Sequence, residues 1–374
     1  MKRKINVCYV IGTRPEIIRS APFIYKLSNH KLVSFKLVHT GQHYEFELSK
    51  SFFNELNLPE PDYNLGIGSG SHGKQTASTI SEIEKLISIE NPDIICVFGD
   101  TNSTLGAAIA GSKMNTKVCH IEAGARSFNM QMAEEINRRL IDHCSDLLLP
   151  VSRNCEINLR NENVQGKITC IDDPLYESFK KHIEEASRLS VFDNFRLPRK
   201  GYFLLTLHRA ENVDDEVILS EIVETLISLN GYKIIFPIHP RTEDRLKKFN
   251  IYKKIQGSNI ILTKPLKYLE ILNLLLNAKI TLTESGGLQK EAYWAGCPCI
   301  TLRNETEWIE TVQIGANFLG GIQKNKIIKT VDFVLKNYKD ISKKILLSEN
   351  PYGKGNSSNQ LLEIILKNSK FLLY

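Results

Sequence analysis

With 374 residues, 42% of them hydrophobic and 24% charged, the chain is long enough for two globular domains and too apolar for a disordered one. No stretch reaches the roughly 18 consecutive apolar residues of a membrane span, and the apolar run 5–11 is too short and wrongly flanked for a secretory signal. The net charge of +6 is spread widely; its densest basic stretch, 324–344, carries Ile, Val and Leu at helical spacing, which reads as a solvated helix face and not as a nucleic-acid groove.

Residues 5–11 predict a first strand, and the following Gly12-Thr13-Arg14-Pro15-Glu16 leads into a helix over 15–28, with Pro15 suited to the first helical position. A strand–glycine–helix turn of this kind aims backbone N–H groups and a helix N-terminus at an anion. Arg14 adds a full positive charge there and Arg19 follows one turn on. The plainer reading of this turn alone is an ordinary loop with surface arginines. A second strand over 35–40 ends in Gly41-Gln42-His43-Tyr44, and a helix over 46–56 is stopped by Pro59 and Pro61. The glycine cluster 66–73 has neither a strand leading into it nor a suitably placed acid after it, so it reads as a mobile surface loop and not as a dinucleotide site. An amphipathic helix follows over 75–88.

The stretch 96–139 organises the first half. An apolar strand over 93–98 stops at Gly99-Asp100, a small-residue helix follows, and the strand 116–121 ends at Glu122-Ala123-Gly124. Two successive strands thus end on a carboxylate beside a glycine, where an open α/β sheet binds its ligands. Glu134-Glu135 then opens a helix carrying Asn137, Arg138 and Arg139. Converging carboxylates point to proton chemistry, whereas singly each also reads as a helix cap or a first-turn acid. A further strand over 146–151, a helix over 154–162 and a strand over 167–171 complete a first domain, residues 1–172.

The βα rhythm repeats over a second domain, residues 173–358. Its strand 202–206 ends in His208-Arg209-Ala210-Glu211-Asn212, and its strand 233–237 in His239-Pro240-Arg241. The strand 279–283 ends in Glu284-Ser285-Gly286-Gly287, and a strand over 298–302 follows. Ser285-Gly286-Gly287 at a strand-to-helix turn suits a diphosphate, Glu291 suits ribose hydroxyls, and His208 suits a leaving phosphate near neutral pH. The fold expected is α/β, two doubly wound, Rossmann-like domains facing each other across a cleft, with a C-terminal helix at about 359–374 packing back on the first.

The eight cysteines contain no Cys-x-x-Cys pair and fall largely in strands, which reads as reduced, buried thiols of a cytoplasmic protein. The His39/His43 pair straddles a strand end and a glycine turn, so no metal site is expected.

Taken in order, Gly12-Thr-Arg-Pro-Glu16, Thr40-Gly-Gln-His43, Gly99-Asp-Thr-Asn-Ser-Thr104, Glu122-Ala-Gly124, Glu134-Glu-Ile-Asn-Arg138, His208-Arg-Ala-Glu-Asn212, Pro237-Ile-His-Pro-Arg241, Ser285-Gly-Gly287 and Glu305-Thr-Glu307 form a series that resembles the non-hydrolysing UDP-N-acetylglucosamine 2-epimerase family across about residues 5 to 320. The resemblance implies a GT-B-like fold and a reversible interconversion of UDP-GlcNAc and UDP-ManNAc without cofactor or metal. The C2 proton of such a sugar is not acidic, because no ketone adjoins it; the route implied is elimination of UDP to a bound 2-acetamidoglucal and re-addition. By the same resemblance Asp100, Glu122, Glu134 and His208 are the catalytic residues. Arg14, Arg19, Gln42, His43, Arg138, Arg209, His239, Ser285, Gly286, Gly287 and Glu291 are the substrate contacts, and a homodimer is implied.

The chain departs from the family pattern at Ala133 (commonly proline), Glu284 (commonly Asp), Arg19 (commonly Lys), Asp172-Asp173-Pro174 and Glu45, the last making allosteric activation by UDP-GlcNAc doubtful. The competing readings are a 2-epimerase of another UDP-amino sugar, a hydrolysing epimerase, a GT-B glycosyltransferase and a silent UDP-sugar binder. The intact Arg14-Pro15-Glu16 argues against the hydrolysing relative, and the retained carboxylates against a glycosyltransferase.

Overall fold

The computed structural model describes residues 3–42 and 53–368. His43, Glu45 and most of the helix expected over 46–56 lie outside the described residues. The chain forms two compact units: one takes it through Lys180 and again from Asn350, and Lys181–Glu349 makes the other.

The first unit holds strands β1 (Ile5–Ile11), β2 (Val33–His39), β3 (Tyr63–Asn64), β4 (Ile94–Phe98), β5 (Lys117–Ile121), β6 (Leu147–Leu149) and β7 (Lys167–Ile168), in the spatial order β3-β2-β1-β4-β5-β6-β7. The second holds β8 (Tyr202–Thr206), β9 (Lys233–Pro237), β10 (Ile260–Thr263), β11 (Ile280–Thr283), β12 (Cys299–Thr301) and β13 (Asn317–Leu319), in the order β10-β9-β8-β11-β12-β13. Neighbouring strands pair in parallel throughout both sheets. Strand order therefore reverses between β1 and β4 in one sheet and between β8 and β11 in the other, which is the doubly wound α/β plan.

Parallel sheets are covered on both faces, and the strands show it. Each residue of Ile94–Phe98 is fully buried. On one face Val10, Val38, Ile95 and Val97 pack with Ile83, Leu86 and Ile87 of the helix His72–Glu90 and with Ala107, Ala108 and Ala110 of the helix Asn102–Lys113. Burying a side chain of this size stabilises by roughly 1.5–3 kcal/mol. Strands β3 and β13 were not legible in the sequence, because two or three residues carry no periodicity. The basic stretch 324–344 divides into the helices Lys324–Lys336 and Tyr338–Leu347.

Past Asn350 the chain is tied into the first unit. Asp172 accepts the N–H groups of Lys354 and Asn356 at 2.9 and 3.0 Å, and Glu177 accepts from Ser357 Oγ and the Ser358 N–H. The helix Ser357–Lys367 packs on the helix Arg14–Ser28.

Candidate active site

At the first switch point β1 ends on Gly12. A Cβ there would lie 2.3 Å from Ser103 Oγ, so only glycine lets the β1 turn approach the helix Asn102–Lys113. Thr13, in extended conformation, precedes the helix Arg14–Ser28, which opens one residue before the expected Pro15. Glu16 closes a capping box by accepting the N–H groups of Gly12 (2.5 Å) and Thr13 (3.0 Å). Burial pushes the Glu16 carboxyl up to about 7, against these backbone hydrogen bonds and with Asp100 adding to the rise. Arg14, half-buried at the helix N-terminus, makes no ion pair among the described residues.

Asp100 follows β4 on the other side of the same switch point. Arg138 holds its Oδ2 with Nε at 2.9 Å and Nη2 at 2.7 Å, and Asn137 Nδ2 donates to the Asp100 carbonyl at 2.9 Å. Both partners come from one turn of the helix Ala133–Cys144, which explains why an Asn-Arg pair follows the glutamates there. Glu122, after β5, meets Arg19 Nη1 at 2.9 Å. Its backbone sits at φ +70°, the left-handed region that costs a side-chain-bearing residue on the order of 1–2 kcal/mol.

The glutamate pair separates. Glu134 is exposed and makes no ion pair among the described residues. Glu135 is fully buried and accepts from the Ser127 N–H and hydroxyl and from Arg138. Successive helical residues point about 100° apart, and here that turn leaves Glu135 facing the interior and Glu134 facing solvent. Gln42 is engaged internally: its Oε1 accepts from the Ser103 N–H and Oγ at 3.1 and 2.7 Å. His43 cannot be placed, being outside the described residues.

Beneath these turns lies a buried charged network that sequence reasoning missed. His120 Nδ1 stands 2.7 Å from Asp142 Oδ1, and its Nε2 stands 2.8 Å from the Gly99 carbonyl. Asp142 Oδ2 accepts from Arg126 Nη2 (2.6 Å) and from the Gly124 N–H (3.1 Å), and Arg126 also binds Glu162. Burial alone would raise the Asp142 carboxyl, but His120 and Arg126 outweigh it and hold that carboxyl below its ordinary range. The available signal was a histidine inside the apolar strand 116–121, two residues before Glu122.

The second switch point gathers the other candidates. His208 and Arg209 follow β8; Glu284, Ser285 and Gly286 follow β11. Glu284 is fully buried and accepts the backbone N–H groups of both His208 and Arg209, together with Asn212 Nδ2 at 2.6 Å. Burial pushes its carboxyl up, against those same donors. The His208 side chain stays 41% exposed, with the His239 ring 5.7 Å away between centroids. His239 itself caps the helix Pro240–Lys248 by accepting the Arg241 N–H. A Cβ on Gly286 would lie 2.9 Å from Trp308 Nε1, so the glycine keeps this helix start narrow, and Gly287 beside it is buried. Glu291, one turn along, is buried and takes the Tyr268 hydroxyl at 2.8 Å. Arg209 lies between carboxylates, 3.7 Å from Glu211 and 3.8 Å from Glu307.

Among the described residues, no three His, Cys, Asp or Glu side chains are grouped to hold a metal ion, and no helix is long and apolar enough to cross a membrane. The cysteines are free thiols; Cys170 is exposed, correcting the expectation that all are buried, because it lies past the two-residue strand β7 and not inside a strand.

A sequence profile described as UDP-N-acetylglucosamine 2-epimerase matches residues 25–366. The chain is 43% identical to the UDP-N-acetylglucosamine 2-epimerase of Methanocaldococcus jannaschii, over 96% of this chain and 99% of that one. It is 38% identical to the UDP-2,3-diacetamido-2,3-dideoxy-D-glucuronate 2-epimerase of Pseudomonas aeruginosa, over 97% and 100%. Its structure is similar to the crystal structure of the M. jannaschii UDP-GlcNAc 2-epimerase in complex with UDP-GlcNAc and UDP, with a TM-score of 0.88, 42% identity, and coverage of 97% of this chain and 100% of that one.

Proposed function

The chain belongs to the UDP-N-acetylglucosamine 2-epimerase family, and from that premise we propose that it reversibly converts UDP-GlcNAc to UDP-ManNAc for the synthesis of surface polysaccharide or glycan precursors, acting as a homodimer in the cytoplasm. The observation that carries the reading is the placement of the candidate residues at both strand-order switch points: Arg14 and Asp100 at one, His208 and Ser285-Gly286 at the other.

The chemistry runs as an elimination. A carboxylate takes the C2 proton; its electron pair forms the C1=C2 bond of 2-acetamidoglucal, and the C1–O bond breaks with its electrons passing to UDP. Re-addition reverses each step, with the proton delivered to the opposite face of C2. Two faces require more than one acid–base group, and Asp100, Glu122 and Glu134 supply them. Arg138 and Arg19 pair with Asp100 and Glu122 and hold the two carboxylates in place. His208 donates to the departing phosphate, Arg14 and the Ser285-Gly286-Gly287 helix start neutralise it, and Glu291 takes the ribose hydroxyls. Gln42, His43, Arg209 and His239 complete the substrate contacts.

Cleavage of C1–O is the step to test. UDP-GlcNAc labelled with 18O in the C1–O–P bridge is expected to scramble label into the non-bridging β-phosphoryl positions. Label held in the bridge while UDP-ManNAc accumulates would exclude elimination. A second reading, a 2-epimerase of a UDP-2,3-diacetamido uronate, draws support from the 38% identity to the P. aeruginosa enzyme. It differs only at C3 and C6 of the sugar, and competition between the two UDP-sugars separates them.

A further inference from the structure

We propose that His120 and Asp142 form a positioning pair that sets the Asp100 and Glu122 turns in register for the reaction; this rests on the function proposed above. The geometry is direct. The Gly99 carbonyl, immediately before Asp100, can only accept a hydrogen bond, and it lies 2.8 Å from His120 Nε2. Asp142 Oδ1, on the other side of the ring at 2.7 Å, belongs to a carboxylate that also takes Arg126, so it too accepts. Both ring nitrogens therefore face acceptors, and fastening both turns through the ring needs a proton on each.

The second oxygen of Asp142 takes the Gly124 N–H at 3.1 Å, two residues beyond Glu122. One buried pair thus fastens the turn after β4 and the turn after β5. The residues concerned have no freedom to drift: His120 and Asp142 are fully buried. The other side of each turn is held as well, by Asn137 on the Asp100 carbonyl and by Asn158 Nδ2 on the Gly124 carbonyl at 3.0 Å. Acid–base groups lose rate steeply when displaced by a fraction of an ångström, so a fixed spacing between the two turns is a catalytic requirement and not only a structural one.

Arg126 and Glu162 share the network but touch the turns differently. Among the described residues the Glu162 carboxylate pairs with Arg126 and Arg139 and takes no hydrogen bond from the Gly99 or Gly124 backbone. It serves as the comparison residue. His120→Gln and Glu162→Gln are each assayed for kcat, KM and UDP affinity, with melting curves to establish folding. His120→Gln is expected to lower kcat at least tenfold while KM and UDP affinity stay within twofold, and Glu162→Gln to keep kcat within twofold. A kcat for His120→Gln within twofold of wild type, or an equal fall in Glu162→Gln, overturns the proposal. Nitrogen-15 spectra of histidine-labelled wild type give a readout free of turnover: His120 is expected to show protons on both ring nitrogens. A bare ring nitrogen overturns the proposal whether or not the protein turns over UDP-GlcNAc, and absence of wild-type turnover contradicts the proposed function separately.

Discussion

Arg19 Nη1 lies 2.9 Å from Glu122 Oε1, and it does so across the β5 turn where Glu122 occupies left-handed backbone. Arg19, expected as a substrate contact, is also a carboxylate's partner. The pair is largely buried, so the cost of desolvating both groups offsets much of their attraction and its net contribution to stability is small. Its larger effect is to hold the Glu122 carboxylate in one position. Arg19→Met is expected to lower kcat about tenfold with a small change in melting temperature, and Arg19→Lys to restore part of the rate. Unchanged kcat in Arg19→Met contradicts the pairing's role.

The left-handed φ of Glu122 makes a stability prediction independent of chemistry. Glu122→Gly and Glu122→Ala both lose the carboxylate and the Arg19 contact, but only alanine keeps the backbone strain. Glycine should be the more stable variant by about 1 kcal/mol in chemical denaturation. Equal stability, or a more stable alanine variant, goes against a strained turn.

Glu16 predicts a pH dependence. Its folded carboxyl is raised to about 7 by burial, so between its ordinary value near 4.5 and about 7 the folded chain holds a proton that the unfolded chain has released. Unfolding then releases that proton, and this contribution to stability falls as pH rises, by about 3 kcal/mol across the window, and levels off above it. Glu16→Gln keeps an acceptor for Gly12 and Thr13 but has nothing to titrate. Denaturation midpoints from pH 4.5 to 7.5 should show a shallower fall for the variant; parallel curves would exclude the raised carboxyl.

How much of this was readable beforehand follows the range of each interaction. Local signals carried well: Pro15 falls in the first turn of the helix Arg14–Ser28, and the apolar strand expected over 93–98 ends at Phe98. Strand ends also located Asp100, Glu122 and His208, since apolar runs stop where backbone reaches the ligand side of the sheet. What the sequence could not carry were partnerships between distant residues. Nothing in Glu134-Glu135 says which acid turns inward, and nothing near Arg19 announces Glu122, which lies 103 positions away. Likewise the substitution of Glu for the commoner Asp at 284 looked like a small departure. In the structure that longer side chain caps the His208-Arg209 backbone of a neighbouring turn.

Asp100 bears the most direct mutational prediction. Asp100→Asn keeps the size of the side chain and the backbone anchors from His120 and Asn137, while removing the proposed acid–base group and the charge facing Arg138. Turnover should fall by 10²-fold or more with UDP affinity nearly unchanged. A kcat near wild type would remove Asp100 from the acid–base set.

Epimerisation by elimination requires proton exchange at C2 coupled to reversible loss of UDP. It is tested by proton NMR of the purified protein with UDP-GlcNAc in D2O. The expected product is UDP-ManNAc carrying deuterium at C2, with label entering the remaining UDP-GlcNAc as equilibrium is approached. UDP-ManNAc that retains protium at C2, or release of free ManNAc and UDP in its place, would contradict it.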